Sequence, residues 1–291
     1  MKRFSLILVL LLLFAAVNVS TAQNDDGTIS VECEDGGEFN GVEVTVFQMR
    51  PGFSYTATVL GINDFDPILA VLNEGDSGTC TDDTPGVDEL EAELPSTGEI
   101  DGSDNNVQIR FNNGNSNDFN DVRLVVGGED DEPGEFLLIL QGMAVTEADG
   151  LGDIFIVRLN EPTIESEVNV TAYAISITDS LDPLLFLVDG DGETIQDGDD
   201  QDVQCDDAGS DSLCWGESEE LSDSFVPLAD GTRLGGYSLD SMLSLPLEDL
   251  EANTFFNFVV NSYNNSTFGD YVIAFHIAIG EGTGSSTSSG K

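Results

Sequence analysis

The 291-residue chain carries 56 Asp and Glu residues against eight Lys and Arg, a formal net charge of −48. A field of that sign repels the phosphates of nucleic acid and of anionic lipid, so neither is an expected partner, and it gathers cations instead. High charge alone opposes collapse, but 40% of the residues are hydrophobic and 17 are Phe, and they cluster in strand-length runs able to build cores.

The chain opens MKRFSLILVLLLLFAAVNVSTAQ. Lys2 and Arg3, an apolar run from Leu6 to Val17 and small residues at Ser20 and Ala22 have the layout of a secretory signal peptide over residues 1–22, cut after Ala22. The expected product is secreted, extracellular or held at the cell surface, with no direct membrane insertion: Cys33 lies too far downstream for lipid attachment, and no second membrane-length apolar run follows. Loss of the leader leaves six basic residues against 56 acidic ones, a net charge of −50.

The segments EVTVFQM (43–49), FSYTATVLGI (53–62), NVQIRF (106–111), DIFIVRL (153–159) and VNVTAYAISI (168–177) are rich in β-branched and aromatic residues. Gly, Asp, Asn and Pro clusters separate them, which predicts an all-β chain. PLEDLEA (246–252) offers one or two helical turns at most, and the Gly/Ser tail 282–291 reads as a flexible end.

Internal repetition divides the chain. YTATVLGINDFDPILAVL (55–72) matches TAYAISITDSLDPLLFLV (171–188) at constant offset, each a strand, an acidic turn, Asp-Pro and a second strand. VRLVVGGEDDEPGEFLLILQG (122–142) likewise parallels FNFVVNSYNNSTFGDYVIAFHIA (256–278). Two homologous domains are expected, 24–146 and 147–281, each a β-sandwich of jelly-roll type, the second with an insertion rich in Asp, Ser and Gly. Four cysteines in an exported chain predict two disulfides, with three possible pairings; keeping each bridge inside one repeat favours Cys33 with Cys80 and Cys205 with Cys214.

The phrase strand, Asp-Pro, strand, Asp/Gly loop, followed later by Val259, Val260, Ser262, Tyr263, Gly269, Asp270 and Tyr271, resembles the bacterial pre-peptidase C-terminal domain. The N-terminal copy matches more loosely, with Gly134, Glu135 and Phe136 in place of Gly-Asp-Tyr. The resemblance implies a β-sandwich module of secreted proteins, usually attached to hydrolases, that in some cases binds calcium or an extracellular polymer, polysaccharide or protein. No peptidase domain accompanies it here.

The acidic loops suit hard cations, since Ca²⁺ takes six to eight oxygen ligands. In DPLLFLVDGDGETIQDGDD, Asp189, Asp191 and Glu193 alternate with Gly190 and Gly192, and Asp197, Asp199 and Asp200 follow; Asp82 and Asp83 repeat the trailing pair in the first copy. These eight residues are the candidate Ca²⁺ ligands. An acidic surface adapted to concentrated salt, where screening is short-ranged, accounts for the same charge.

Catalysis has little footing. His276 is the only histidine and aligns with Gln141 of the other copy, as a polar slot on the outer face of a strand would. Ser-His-Asp, Cys-His and histidine-rich zinc sites therefore lack residues to assemble from. Trp215, the sole tryptophan, is a candidate for stacking on a sugar ring or for packing on the adjacent disulfide. The expected function is a non-catalytic extracellular binding or structural module with Ca²⁺-binding loops. A glycan-active enzyme using paired carboxylates, or a self-associating subunit of a surface layer or filament, is the alternative.

Overall fold

A computed structural model describes residues 29–34, 36–72, 76–101, 105–112, 120–129, 132, 134–146, 153–158, 169–178, 180–189, 193–196, 202–207, 221–237, 239–246, 255–263 and 267–279. The leader, the tail, residues 247–252 of PLEDLEA and most of the second-copy insertion fall outside these. Among the described residues nineteen strands run in order, beginning with β1 (Ile29–Cys33), β2 (Glu38–Met49), β3 (Ser54–Ile62), β4 (Pro67–Leu72), β5 (Ser77–Thr81), β6 (Ala92–Leu94), β7 (Gly98–Ile100), β8 (Val107–Asn112), β9 (Asn120–Gly128) and β10 (Gly134–Val145). They continue as β11 (Asp153–Arg158), β12 (Asn169–Ser176), β13 (Pro183–Val188), β14 (Gln204–Asp206), β15 (Phe225–Pro227), β16 (Arg233–Gly235), β17 (Ser241–Pro246), β18 (Phe255–Ser262) and β19 (Gly269–Ile279). The described chain is all β, as its β-branched and aromatic runs predict. Each Asp-Pro marks a strand start, where proline costs no ladder hydrogen bond.

Three sheets form. The nine-stranded sheet has the order β1-β5-β4-β9-β2-β11-β18-β13-β14, the six-stranded sheet β17-β12-β19-β10-β3-β8, and the four-stranded sheet β16-β15-β6-β7. Read outward from the centre, the order repeats: β2, β9, β4, β5 on one side answer to β11, β18, β13, β14 on the other. In the same way β10, β3, β8 answer to β19, β12, β17, and β6, β7 to β15, β16. The two copies are thus related by a pseudo-twofold axis. All three sheets run through the junction of the two copies by antiparallel pairing of β2 with β11, β10 with β19, and β6 with β15. The reason is physical: each copy alone would present open strand edges, and pairing them satisfies their backbone groups. The β10–β19 seam runs from Gly134 opposite Ile279 to Val145 opposite Gly269, and one core contains residues of both copies, among them Val59, Leu138, Tyr173 and Phe275.

The offset between copies is not constant. Thr56 and Thr171 are equivalent, facing Gln141 and His276 respectively, whereas Pro67 is equivalent to Pro183, facing Gly128 and Ser262. The intervening turn has one more residue in the second copy. The first version, Asn63 and Asp64, has both residues at positive φ, 55° and 66°, in a region that Asn and Asp tolerate.

The inner strands of the six-stranded sheet are buried on both faces. On β19, Phe275 meets Phe258 of the nine-stranded sheet edge-on at 5.5 Å between centroids. The next residue, His276, faces the opposite way and contacts Ser96 in the β6–β7 turn of the four-stranded sheet. The outer face expected for His276 is thus covered, and the residue is 7% exposed.

Candidate metal centre

Asp182 immediately precedes Pro183, so its own backbone is held extended. Thr267 Oγ1 pairs with its amide at 3.0 Å, and its carbonyl accepts from the Tyr263 amide at 2.9 Å. With the main chain fixed, the carboxylate is directed beside the end of β14. There Asp206 pairs in register with Leu184, and Asp207 turns back at a φ of 63°. Asp182, Asp206 and Asp207 each offer a carboxylate oxygen, all within 4.8 Å of one another. Oδ1 of Asp182 is buried with no hydrogen-bond partner.

Three like charges held this closely in partial burial resist ionisation. Burial, then Asp207, then Asp182 push the Asp206 carboxyl up to about 6; burial and then Asp207 raise that of Asp182. A divalent cation would convert this repulsion into coordination. The all-oxygen donor set suits Ca²⁺ or Mg²⁺ rather than zinc, and among the described residues no Cys or His joins the group.

A looser relative of it lies in the first copy, although among the described residues only the second-copy trio brings its oxygens within 4.8 Å. Asp66 precedes Pro67, and its carbonyl accepts from the Glu129 amide at 2.9 Å, as that of Asp182 does from Tyr263. Its carboxyl is raised by burial, lowered by a side-chain hydrogen bond with Glu129, and raised again by Asp83 and Asp82. Leu69 faces Thr81 where the equivalent Leu185 faces Cys205. Asp82 and Asp83 therefore correspond to Asp206 and Asp207, not to Asp199 and Asp200.

Of the residues singled out from sequence, Asp82 and Asp83 thus sit beside Asp66. Asp189 and Glu193 close a tight loop on themselves: Asp189 Oδ1 accepts from the Glu193 amide at 2.9 Å, and the Asp189 amide donates to the Glu193 carbonyl at 2.9 Å. Asp191, Asp197, Asp199, Asp200, Cys214 and Trp215 lie outside the described residues. Cys33 and Cys80 are disulfide-bonded, 47 residues apart. Cys205 is also disulfide-bonded and fully buried. Asp182, Asp206, Asp207 and Asp66 are the residues the sequence reading missed. Their signal was present in the two Asp-Pro steps and in the matching strings CTDD (80–83) and QCDD (204–207).

A second polar constellation joins the layers. Tyr173 OH donates to Ser96 Oγ at 2.6 Å and accepts from the Ser96 amide at 3.0 Å. Ser96 Oγ lies 2.7 Å from His276 Nδ1, and His276 Nε2 lies 2.6 Å from Glu135 Oε1. Burial lowers the His276 pKa against the opposing pull of Glu135. The neutral ring then accepts from Ser96 and donates to Glu135. A serine, a histidine and a carboxylate do meet here, contrary to the sequence expectation, because Ser96 arrives from the opposite copy.

No protein-family model matches the chain, and no curated protein matches it in sequence. Among the described residues, no helix is long and apolar enough to cross a membrane.

Proposed function

We propose that the chain is an exported, non-catalytic extracellular binding or structural module, built as two fused β-sandwiches resembling pre-peptidase C-terminal domains, whose paired aspartate clusters bind Ca²⁺. The observation that carries this reading is the convergence of Asp182, Asp206 and Asp207 within 4.8 Å; Asp82 and Asp83 act on Asp66 in the first copy more loosely. The leader-like N-terminus and the Cys33–Cys80 bridge support export to an oxidising compartment. Calcium would hold the loops toward the two ends of the nine-stranded sheet in one arrangement and so shape the surface offered to an extracellular polymer or to another copy.

Among the described residues, the contact of Ser96, His276 and Glu135 is the feature that favours an enzyme. We read it as a clamp between layers. Ser96 Oγ is already engaged by Tyr173, and His276 is buried.

Thermal melting in calcium, in chelator and in matched sodium chloride tests the calcium reading. Calcium at about a hundred times its Kd adds about 2.7 kcal/mol for each site it fills. A shift that Asp206→Asn and Asp182→Asn remove supports the proposal; an equal response to sodium chloride, unchanged in both variants, rejects it in favour of simple screening.

A further inference from the structure

The pseudo-twofold axis allows each position to be compared with its counterpart, and one row has diverged. In the second copy, Ser244, Thr171 and His276 stand side by side across β17, β12 and β19. Their polar groups are consumed locally: Thr171 Oγ1 and Ser244 Oγ are 3.0 Å apart, and His276 holds Ser96 and Glu135. The matching row of the first copy is Arg110, Thr56 and Gln141, across β8, β3 and β10. Here the row is not closed. It borders an open cavity of about 370 Å³, completed by Ser54 and by Leu228, Ala229 and Asp230 of the β15–β16 turn.

Two features keep the cavity open. Gln141 uses its Oε1 to accept from the Ala229 amide at 2.5 Å, which pins the turn and leaves the amide NH₂ for another acceptor. Beside it the β10–β19 ladder slips between Leu140 and Met143, a bulge at which Gly142 has a φ of 99°. The β19 strand has no such slip at Ile277.

Arg110 is the unusual member. Arg123 binds Glu43 and Asp76, Arg233 binds Glu91, and Arg50 binds the Ala144 carbonyl. The Arg110 side chain makes no hydrogen bond or ion pair among the described residues, in a chain with seven acids for every base. Its guanidinium is a fork suited to a carboxylate. Asp230 also lines the cavity, and its hydrogen bonds with Thr232 hold it below the usual carboxylate range, so it is an anionic acceptor. A simple anion satisfies Arg110 but meets Asp230; a neutral sugar satisfies the hydroxyls and Asp230 but leaves the guanidinium unused. A molecule with one carboxylate and several hydroxyls satisfies both ends.

We propose that this cavity binds a hydroxylated carboxylate, a sugar acid such as a uronate, with Arg110 taking the carboxylate and Ser54, Thr56, Gln141 and Asp230 the hydroxyls. The site is remote in sequence from the aspartate clusters and stands whether or not these bind calcium.

Titration calorimetry on the full chain in chelator tests it, using glucuronate, galacturonate and gluconate as probes, with glucose and acetate as the single-feature controls. At least one acid sugar is expected to bind with a Kd of about 1 mM or tighter, and both controls about tenfold more weakly or worse. Arg110→Ala should weaken the acid sugar by at least about tenfold, and Arg110→Lys by less, with unchanged melting temperature, because Arg110 is exposed. Equal binding of acetate, equal binding of glucose, no heat with any acid sugar, or full binding by Arg110→Ala each overturns the assignment.

Discussion

Gln141 and His276 hold equivalent places on the two seam strands, and each fastens the hairpin turn of the opposite copy, Ala229 and Ser96 respectively. The four-stranded sheet is therefore crossed over the six-stranded one, each copy gripping the other. His276→Gln should be nearly neutral, within about 1 kcal/mol, since glutamine already does this work at the matching position. His276→Leu leaves Ser96 and Glu135 without their partner and should cost about 1–3 kcal/mol. Denaturant melts of the two variants check the pair.

Arg123 and Glu43 form the most deeply placed charge pair described. Arg123 Nη2 lies 2.6 Å from Glu43 Oε2, and the Glu43 side chain is 1% exposed. Thr45 Oγ1 donates to its other oxygen at 2.8 Å. Arg123→Met strands a buried carboxylate in a strongly negative molecule and should cost about 3–5 kcal/mol. Adding Glu43→Gln should return a large part of that loss; a double variant no better than the single would show the charge pair is not the cause.

Asp240 is fully buried and accepts hydrogen bonds from the Ser176 amide and hydroxyl, both at 2.8 Å, and from the Tyr237 amide at 2.7 Å. Burial outweighs these bonds and pushes its pKa up to about 6. The native state thus binds its proton more tightly than the unfolded chain. The resulting stabilisation is fully present below pH 3.8 and is lost as pH rises through about 6. The counterpart of Asp240 in the first copy is Asn106, also fully buried. Asp240→Asn should remove this pH dependence. Between pH 4 and 7 the wild type should lose on the order of 2 kcal/mol relative to the variant, measured by paired urea melts; parallel curves would refute the assignment.

A chain ending after residue 146 exposes β10 along its length, and this strand's apolar side chains are buried in the intact protein. Such a half should self-associate through β10, as the pseudo-twofold pairing with β19 suggests. Light scattering on the purified half would reveal dimers or aggregates; a monodisperse, folded monomer would contradict the seam's importance.

The strands were legible because their apolar runs are long and bounded by turn residues, and the duplication because Asp-Pro and Gly-acid-aromatic recur. The four-stranded sheet was not. Its strands β6, β7, β15 and β16 are three residues each, too short to establish a period. Nor was the middle layer: β10 shows a continuous apolar run over Phe136–Leu140, while β3 alternates Tyr55, Ala57 and Val59 with Thr56 and Thr58, as a strand with one wet face would, although both of its faces are covered. The aspartate clusters were half legible. Asp82 and Asp83 were visible as a pair, but Asp66 and Asp182 look like turn residues until the folded chain brings the end of β5 or β14 beside them.

Joining two like sheets edge to edge within one polypeptide makes the pairing independent of protein concentration, because the second edge is always present at high local density. It also frees each side to change alone. In a dimer of identical subunits any new side chain appears twice, on both faces of the axis; here one gene position places Arg110 in an open hollow while its twin, Ser244, keeps the other side sealed.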